Sequence, residues 1–276
     1  MFHRTLLFIG VNLLANASFA LPKEQLTAGG IAIIPLPSYI SENAQVKFGS
    51  NLVPVITRED ALFAVVGIPL SHKEPELSIT ITDNQLSDHL TVQLSNKDYP
   101  EQRITLQETQ SNKVTPSEDE LARYSREAIE QKTVYQLFSS SQTKSWPNFA
   151  WPIKGRISSP FGLKRFFNDQ PRDPHSGLDV AAPEGKAIAA PANGIVAQTG
   201  DYFFNGKTVM IDHGQGIISM LCHLSKVHVE KGQTIKQGDI IGLVGQTGRA
   251  TGPHLHYGVS INNARIDPLL VLPTVP

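Results

Sequence analysis

The C-terminal half of the chain contains the sequence Gly252-Pro253-His254-Leu255-His256-Tyr257. On a β-strand, residues two positions apart project from the same face roughly 7 Å from each other, so His254 and His256 can converge on one centre. Leu255, Tyr257 and Val259 then face the other side and supply an apolar core. The Gly/Pro turn before the pair fixes the entry into the strand. Two alternating imidazoles are unusual for a purely structural strand, so a ligand role is one hypothesis for the pair and a structural role is the other.

The residues around this sequence predict an all-β domain. After Gly155 the chain is dense in glycine and in short apolar runs, and helical periodicity is absent. The predicted strands are residues 194–198, 208–212, 217–224, 240–244 and 255–261.

Another histidine precedes a carboxylate in His175-Ser176-Gly177-Leu178-Asp179. On a straight strand these two side chains lie about 13 Å apart, so they can share a metal ion only if the chain bends between them. Gly177 permits that bend, and both side chains are suitable zinc ligands. The spacing alone is unspecific, since it also occurs by chance.

A further histidine, His223, lies within a predicted strand. Alternation places Met220, Cys222 and Leu224 on one face and His223 on the other. Cys222 is therefore predicted to be a small buried residue and not a ligand. Taken alone, His223 fits a structural role in the sheet as well as a role in a site.

These histidine motifs occur with several other short motifs. In chain order they are Ser159-Pro160-Phe161-Gly162, His175-Ser176-Gly177-Leu178-Asp179, Ala190-Pro191-Ala192-Asn193-Gly194, Ile211-Asp212-His213-Gly214, Cys222-His223-Leu224-Ser225, Gly245-Gln246-Thr247-Gly248 and Gly252-Pro253-His254-Leu255-His256. The series resembles the lysostaphin/LytM-type zinc endopeptidases of bacterial cell walls. The resemblance extends from Arg156 to about Leu272.

The resemblance implies a role for each matching residue. His175, Asp179 and His256 would be the ligands of one Zn²⁺ per chain, and His223 and His254 would be the two active-site histidines that do not bind metal. Three protein ligands leave a position open, as in catalytic zinc sites. The family fold implied is a β-structure with a central antiparallel sheet and loops that wall a narrow groove.

The chemistry of amide hydrolysis is consistent with these roles. Zinc lowers the pKa of water to about 7 and polarises the scissile carbonyl. The sequence lacks the His-Glu-x-x-His motif that supplies a glutamate base in many zinc proteases. Histidine titrates near neutrality, so we expect His223 and His254 to activate the water, stabilise the oxyanion and return the proton. The division of labour between them stays open.

The remaining histidines are given structural roles. His213 is expected to shape a turn and His228 to be exposed on a strand, while His72 and His89 are isolated and expected at the surface. Phe203-Phe204-Asn205-Gly206 is predicted to be a hairpin tip with a tight primed turn. Its aromatic rings could wall the groove or simply pack.

The residues before this domain have a different pattern. Short β-type runs predict a small antiparallel sandwich-like domain, and a helical period follows from Thr115 to Phe138. Thr115-Pro116-Ser117-Glu118 is interpreted as a capping box with proline at the first helical position. An apolar stripe, expected to be a packing face, comprises Leu121, Tyr124, Ala128, Tyr135 and Phe138. The predicted sandwich strands are residues 30–36, 62–68, 77–82, 89–94 and 102–106.

The predicted organisation has four parts. Residues 1–20 form a signal peptide, 21–107 the N-terminal β domain, 108–145 a helical linker and 146–276 the peptidase domain. The signal peptide has a basic start, an apolar run from Leu6 to Leu14, and small residues that allow cleavage after Ala17 or Ala20. We therefore expect export to the periplasm, with secretion as the alternative, and no stable membrane anchor after cleavage.

Composition restricts the partners. The 276 residues have a formal net charge of -1, which argues against a nucleic-acid partner, and the single cysteine excludes a thiolate-cluster metal site. The charge separates into a net -5 over residues 21–149 and +3 over residues 150–276. The N-terminal half could therefore dock across the groove and inhibit, or it could be an independent spacer.

The function expected is that of an exported zinc metalloendopeptidase. Its expected substrate is the stem peptides of peptidoglycan, and the absence of a Gly-rich wall-binding tail favours a D,D-endopeptidase acting on D-alanyl–diaminopimelate cross-links. Cell-wall machinery or regulatory proteins are further expected partners. The alternative is a non-catalytic regulator that activates other wall hydrolases. A likeness of Val229–Asp239 to biotinyl or lipoyl carrier hairpins is attributed to shared β-architecture, because no suitably flanked lysine is present.

Overall fold

The computed structural model describes residues 21–104, 116–140, 144–167 and 169–274. The expected signal peptide at residues 1–20 lies outside this part of the chain. Among the described residues, no helix combines the length and apolar character needed to cross a membrane. The structure is mostly β, as predicted, and strands occur on both sides of a helix.

The N-terminal region forms two small antiparallel sheets packed face to face. Its strands are β1 (Ile31–Pro35), β2 (Gln45–Phe48), β3 (Asn51–Leu52), β4 (Val55–Arg58), β5 (Ala61–Gly67), β6 (Glu76–Asp83), β7 (Leu86–Gln93) and β8 (Glu101–Ile104). One sheet has the order β1-β5-β4 and the other β3-β2-β6-β7. Buried and exposed residues alternate along β6, and its buried side chains form a core with those of β1 and β5. The sandwich-like domain is thus confirmed.

Helix α1 (Glu118–Tyr135) begins two residues later than the sequence pattern indicated. Its N-cap is Ser117, whose side chain accepts a hydrogen bond from the Glu120 N–H while the Glu120 carboxylate accepts from the Ser117 N–H. The prediction of a cap at Thr115 was wrong because the acidic residue that closes the box is Glu120. Most of the predicted stripe is exposed, and the helix buries only Val134 and Tyr135.

The C-terminal region is built around a large antiparallel sheet. Its strands are β9 (Arg156–Ser159), β10 (Lys164–Phe167), β11 (Gln170–Pro171), β12 (Leu178–Ala181), β13 (Ala187–Ala189), β14 (Gly194–Tyr202), β15 (Gly206–Asp212), β16 (Ile217–Val227), β17 (Thr234–Ile235), β18 (Ile240–Val244), β19 (His254–Ile261) and β20 (Ala264–Ile266), followed by a 3-10 helix (Pro268–Leu270). The main path through the sheet is β17-β14-β15-β16-β19-β12-β9. Leu255, Tyr257 and Val259 of β19 lie in its core, as predicted.

Strand β8 does not belong to the sandwich. It pairs in parallel with β10 of the C-terminal region, with Gln102 opposite Arg165. Just before β8, the Tyr99 ring packs edge-on against Phe161, with 6.1 Å between ring centroids. The segment that leaves the sandwich therefore supports the strand that precedes His175.

The sandwich and the C-terminal sheet also share a core. Ile31, Ile56 and Val65 are buried in the same apolar cluster as Ile261. The Asn262 side chain accepts from the Gly67 N–H at 2.7 Å and donates to the Gly67 carbonyl at 3.1 Å. Because of this shared core, the N-terminal sandwich is not a spacer that is independent of the C-terminal sheet. The shared core lies at the end of β19, about 17 Å along the strand from His256.

Candidate metal centre

His175 and Asp179 are brought together by a bend before β12. His175 precedes the strand and is clamped by its backbone, whose N–H donates to Leu163 O at 2.9 Å and whose carbonyl accepts from Gly162 N at 2.8 Å. Asp179 is the second residue of β12. As a result, His175 Nε2 lies 2.9 Å from Asp179 Oδ1. The predicted bend is confirmed.

Besides permitting the bend, the absence of a side chain at Gly177 leaves room for the His256 ring. A Cβ atom built at this position would lie 2.7 Å from Cε1 of His256, closer than side-chain atoms approach each other. Because β12 and β19 are paired with Asp179 opposite His256, the His256 ring lies over the bend. Glycine therefore allows the imidazole to reach the carboxylate.

The His254/His256 pair lies on β19 as the alternation predicts. Both imidazoles are partly exposed, whereas the intervening Leu255 is fully buried. His256 Nδ1 lies 2.8 Å from Asp179 Oδ1 and 3.0 Å from His175 Nε2. His254 Nε2 lies 3.9 Å from Asp179 Oδ1. Both histidines thus face the carboxylate.

His223 reaches the same place from a bulge in β16. Lys207 and Val209 of β15 pair with Leu224 and Leu221, so two residues of β16 lie opposite one residue of β15. His223 has a φ of 64°, and the irregularity turns its ring to within 4.7 Å of the His254 ring, measured between centroids.

The bulge also corrects one predicted face. Cys222 is buried beside Met220, as predicted, and burial raises the pKa of its thiol to about 12. Leu224 does not share that face, because the extra residue shifts the alternation and places it in the main core.

The hydrogen bonds identify the free nitrogen of three rings. Nδ1 lies 2.8 Å from a backbone carbonyl in each case, from Pro160 for His175, from Thr247 for His223 and from Gly252 for His254. A carbonyl oxygen only accepts, so each Nδ1 carries the proton and each Nε2 presents a lone pair.

The pKa values of the clustered side chains favour the protonation states that can bind a metal ion. Burial opposes ionisation of Asp179, yet the close ring nitrogens of His175 and His256 hold the pKa of its carboxyl well below the ordinary value. Burial, reinforced by the neighbouring imidazoles His256 and His254, lowers the pKa of His223 to about 3. Burial also lowers the pKa of His256. The carboxylate is therefore ionised, and His223 and His256 are neutral, at neutral pH.

The donor set fits a divalent cation. His175 Nε2 and Asp179 Oδ1 both present lone pairs, so their 2.9 Å contact is favourable only with a positive charge between them. The ligand atoms of His175, Asp179 and His256 all lie within 4.8 Å of one another. Two imidazoles and one carboxylate with an open position are a donor set of catalytic zinc sites.

Comparison with known proteins identifies the family. The model of the N-terminal domain of peptidase family M23 matches residues 25–97, and the model of peptidase family M23 itself matches residues 173–268. A crystal structure of a Pseudomonas aeruginosa protein described as a peptidase M23 is 37% identical, covers 90% of this chain and 96% of that protein, and has a TM-score of 0.74. The chain belongs to peptidase family M23.

Two curated relatives have names that describe peptidase activity. The DD-carboxypeptidase/endopeptidase Mpg of Neisseria meningitidis is 42% identical over 134 residues, and the peptidoglycan DD-endopeptidase ShyA of Vibrio cholerae is 36% identical over 134 residues. Each match covers 48% of this chain and 31% of the relative. This chain therefore spans about a third of their length. The LytM-type resemblance noted in the sequence is confirmed.

Other predicted residues of this M23 chain lie outside the cluster. His213 is buried at the turn after β15, where it bonds with Asn193 O at 2.7 Å and Ser219 Oγ at 2.9 Å. His228 is exposed, but it follows β16 instead of lying on a strand. His72 bonds locally to Glu76 O and His89 to Thr80 Oγ1.

The predicted hairpin tip is present, with a different turn. Three residues, Phe203 to Asn205, connect β14 and β15, and positive φ occurs at Gly206 and not at Asn205. The tip packs on helix α1, where Tyr124 contacts the Phe204 ring with 4.9 Å between centroids. The Asn205 carbonyl accepts the His223 N–H at 2.9 Å. The tip therefore packs and also fixes the bulge.

Two residues that bond to the cluster were missed from the sequence. The Arg165 guanidinium donates to Asp179 Oδ2 at 3.2 Å, and Ser159 Oγ lies 3.3 Å from His175 Nδ1. Ser159 lies in one of the quoted motifs, but no motif includes Arg165. A sequence signal for either role would have required knowing that β9, β10 and β12 meet.

Proposed function

We propose that the protein is a zinc metalloendopeptidase that hydrolyses the peptide cross-links of peptidoglycan. The observation that carries the proposal is the convergence of five side chains, His175, Asp179, His223, His254 and His256, on one place. The names of the M23 relatives support peptidoglycan as the substrate. They also support the finer proposal of a D,D-endopeptidase that cuts the D-alanyl–diaminopimelate bond.

In this proposal His175 Nε2, Asp179 Oδ1 and His256 Nδ1 would hold one zinc ion. When bound, zinc polarises the scissile carbonyl and lowers the pKa of water, which supplies a nucleophile near neutral pH. The protein contributes the preorganisation, because the backbone clamp on His175 and the β12–β19 register hold the ligand atoms together before the metal arrives.

His223 and His254 are proposed to move protons. Both present an unprotonated Nε2, and carbonyl bonds to Nδ1 hold both rings in position. Burial lowers the pKa of His223 to about 3, so its ring is neutral at neutral pH and its Nε2 presents a lone pair. One of the two accepts the proton of the attacking water, and the pair returns it to the leaving amine.

The proposed action on peptidoglycan would require the protein to be outside the cytoplasm. We therefore retain export to the periplasm as part of the proposal, with the stem peptides as the partner. The name of ShyA, a peptidoglycan DD-endopeptidase, supports this location.

Digestion of purified peptidoglycan, with products identified by mass, tests the proposal. We expect cross-linked muropeptide dimers to become monomers, with a new D-alanyl carboxylate and a new diaminopimelate amine. Asp179→Asn keeps the side-chain shape and should give no products. Intact dimers after incubation with the zinc-loaded wild type would contradict the proposal. Acceleration of a second wall hydrolase in that case would favour the non-catalytic regulator.

A further inference from the structure

The two carboxylate oxygens of Asp179 have different partners. Oδ1 faces His175 Nε2 at 2.9 Å and His256 Nδ1 at 2.8 Å, whereas Oδ2 accepts a hydrogen bond from Arg165 Nη2 at 3.2 Å. The Asp179 side chain is 11% exposed and that of Arg165 is 23% exposed. The ion pair is therefore largely shielded from water, where a charge-assisted bond is strong and directional.

Arg165 also connects to a second ligand. The same Nη2 donates to Ser159 Oγ at 2.8 Å, and Ser159 Oγ lies 3.3 Å from Nδ1 of His175. One guanidinium nitrogen thus reaches Asp179 directly and His175 through one hydroxyl. Such bonds fix the orientation of ligands that would otherwise rotate about their side-chain torsions.

The position of Arg165 is itself fixed from both edges of its strand. β10 pairs with β11 on one side and with β8 of the N-terminal region on the other. Nε of Arg165 is buried without a hydrogen-bond partner, which costs free energy. Burial of this guanidinium is thus costly for the fold and is offset by its bonds to Asp179 and Ser159.

We propose that Arg165 is a positioning residue that makes Asp179 a one-oxygen ligand. A carboxylate can bind a metal through one or both oxygens, and the Arg165 bond occupies Oδ2 and leaves Oδ1 for the metal. The coordination number stays low and one position stays open for substrate. This inference rests on the proposed metal site and adds a determinant of its geometry.

Cobalt(II) substitution of the full chain tests this inference without an activity measurement. Cobalt in a four-coordinate site absorbs visible light several times more strongly than in a five- or six-coordinate site. We expect a strong spectrum for the wild type and a several-fold weaker one for Arg165→Met, in which Asp179 can bind through both oxygens. Turnover of the zinc form should fall about 10–100-fold, as for other residues that orient metal ligands. Arg156→Met removes an exposed guanidinium on neighbouring β9 and serves as the matched control.

A second variant covers a failure of Arg165→Met to fold, which a thermal melt would show. Arg165→Lys keeps the charge but lacks the planar fork of the guanidinium, so a weaker form of the same spectral change is expected. A wild-type spectrum in the folded Arg165 variants overturns the inference while the zinc proposal stands. A wild type that binds neither cobalt nor zinc overturns both.

Discussion

His89 and His223 both lie in antiparallel sheets, one in the N-terminal sandwich and one in the C-terminal sheet. His89 lies on the regular strand β7, opposite Thr80 of β6, and its exposed ring bonds to Thr80 Oγ1 at 3.2 Å. His223 lies at a bulge, and its buried ring contacts the His254 ring. In the regular ladder the imidazole is left on a face in contact with solvent, whereas the irregular strand turns it toward other histidines.

A position outside the regular part of a strand is also found for two other histidines of the site. His175 lies in the bend before β12, and His254 lies at the first residue of β19. Among the described residues, only His175, Asp179 and His256 form a group whose ligand atoms lie close enough together to hold one metal ion. Paired strands place Asp179, His254 and His256, and two interruptions, the bend at His175 and the bulge at His223, bring the other two side chains to them.

The largest effect is expected for His256→Ala. Loss of one of three ligands should remove bound zinc and reduce cleavage of muropeptide dimers below detection. Metal content and product masses are measured on the same preparation. His89→Ala removes an imidazole from the regular sheet and should match the wild type in both. Cleavage by the His256→Ala protein would show that the ligand assignment is wrong.

His223→Ala should separate metal binding from proton transfer. We expect close to one zinc per chain and a turnover reduced about 10²–10⁴-fold, the usual contribution of a general acid or base. The measurement is initial rate against zinc content. A metal-free His223→Ala protein would refute the proposed role and make His223 a ligand.

Gly162→Ala should destabilise the support of the site. Gly162 has a φ of +84°, and a Cβ atom there would overlap the Tyr99 ring. The strained backbone and the forced repacking together should lower the free energy of unfolding by about 4 kcal/mol. Gly185 has a φ of +82° with nothing within 4 Å of its built Cβ, so Gly185→Ala should cost only about 1 kcal/mol. If urea denaturation gave equal losses of unfolding free energy for Gly162→Ala and Gly185→Ala, the overlap with Tyr99 would contribute nothing.

His213, which lies outside the metal site, should make the protein less stable as the pH falls. Burial lowers the pKa of His213 from 6.5 to about 4. Between these values the unfolded chain binds a proton that the folded chain does not, so stability present above pH 6.5 is lost as the pH falls toward 4. The loss due to this group is about 3 kcal/mol. Urea denaturation at pH 7 and pH 4 should show a smaller decrease for His213→Gln than for the wild type, and identical decreases would contradict the assignment.

Much of the fold and of the candidate site could be predicted from the sequence. Three of the signals are local: the alternation at His254 and His256, the glycine between His175 and Asp179, and the short strands. Local signals can be interpreted without knowing which strand is the pairing partner. The bulge at His223 could not be predicted, because it exists only relative to the residue count of β15. The pairing of β8 with β10 joins residues about 60 positions apart and carries no periodic signal. The role of Arg165 could not be predicted either, because its position beside Asp179 depends on how β10 pairs with other strands.

The most direct test of the central claim is the zinc content of the purified full chain together with its activity on muropeptide dimers. We predict one equivalent of zinc per chain, loss of metal and cleavage on chelation, and recovery of both when one equivalent of zinc is returned. A protein that contains only a small fraction of an equivalent, or one that cleaves equally well after chelation, would contradict the account.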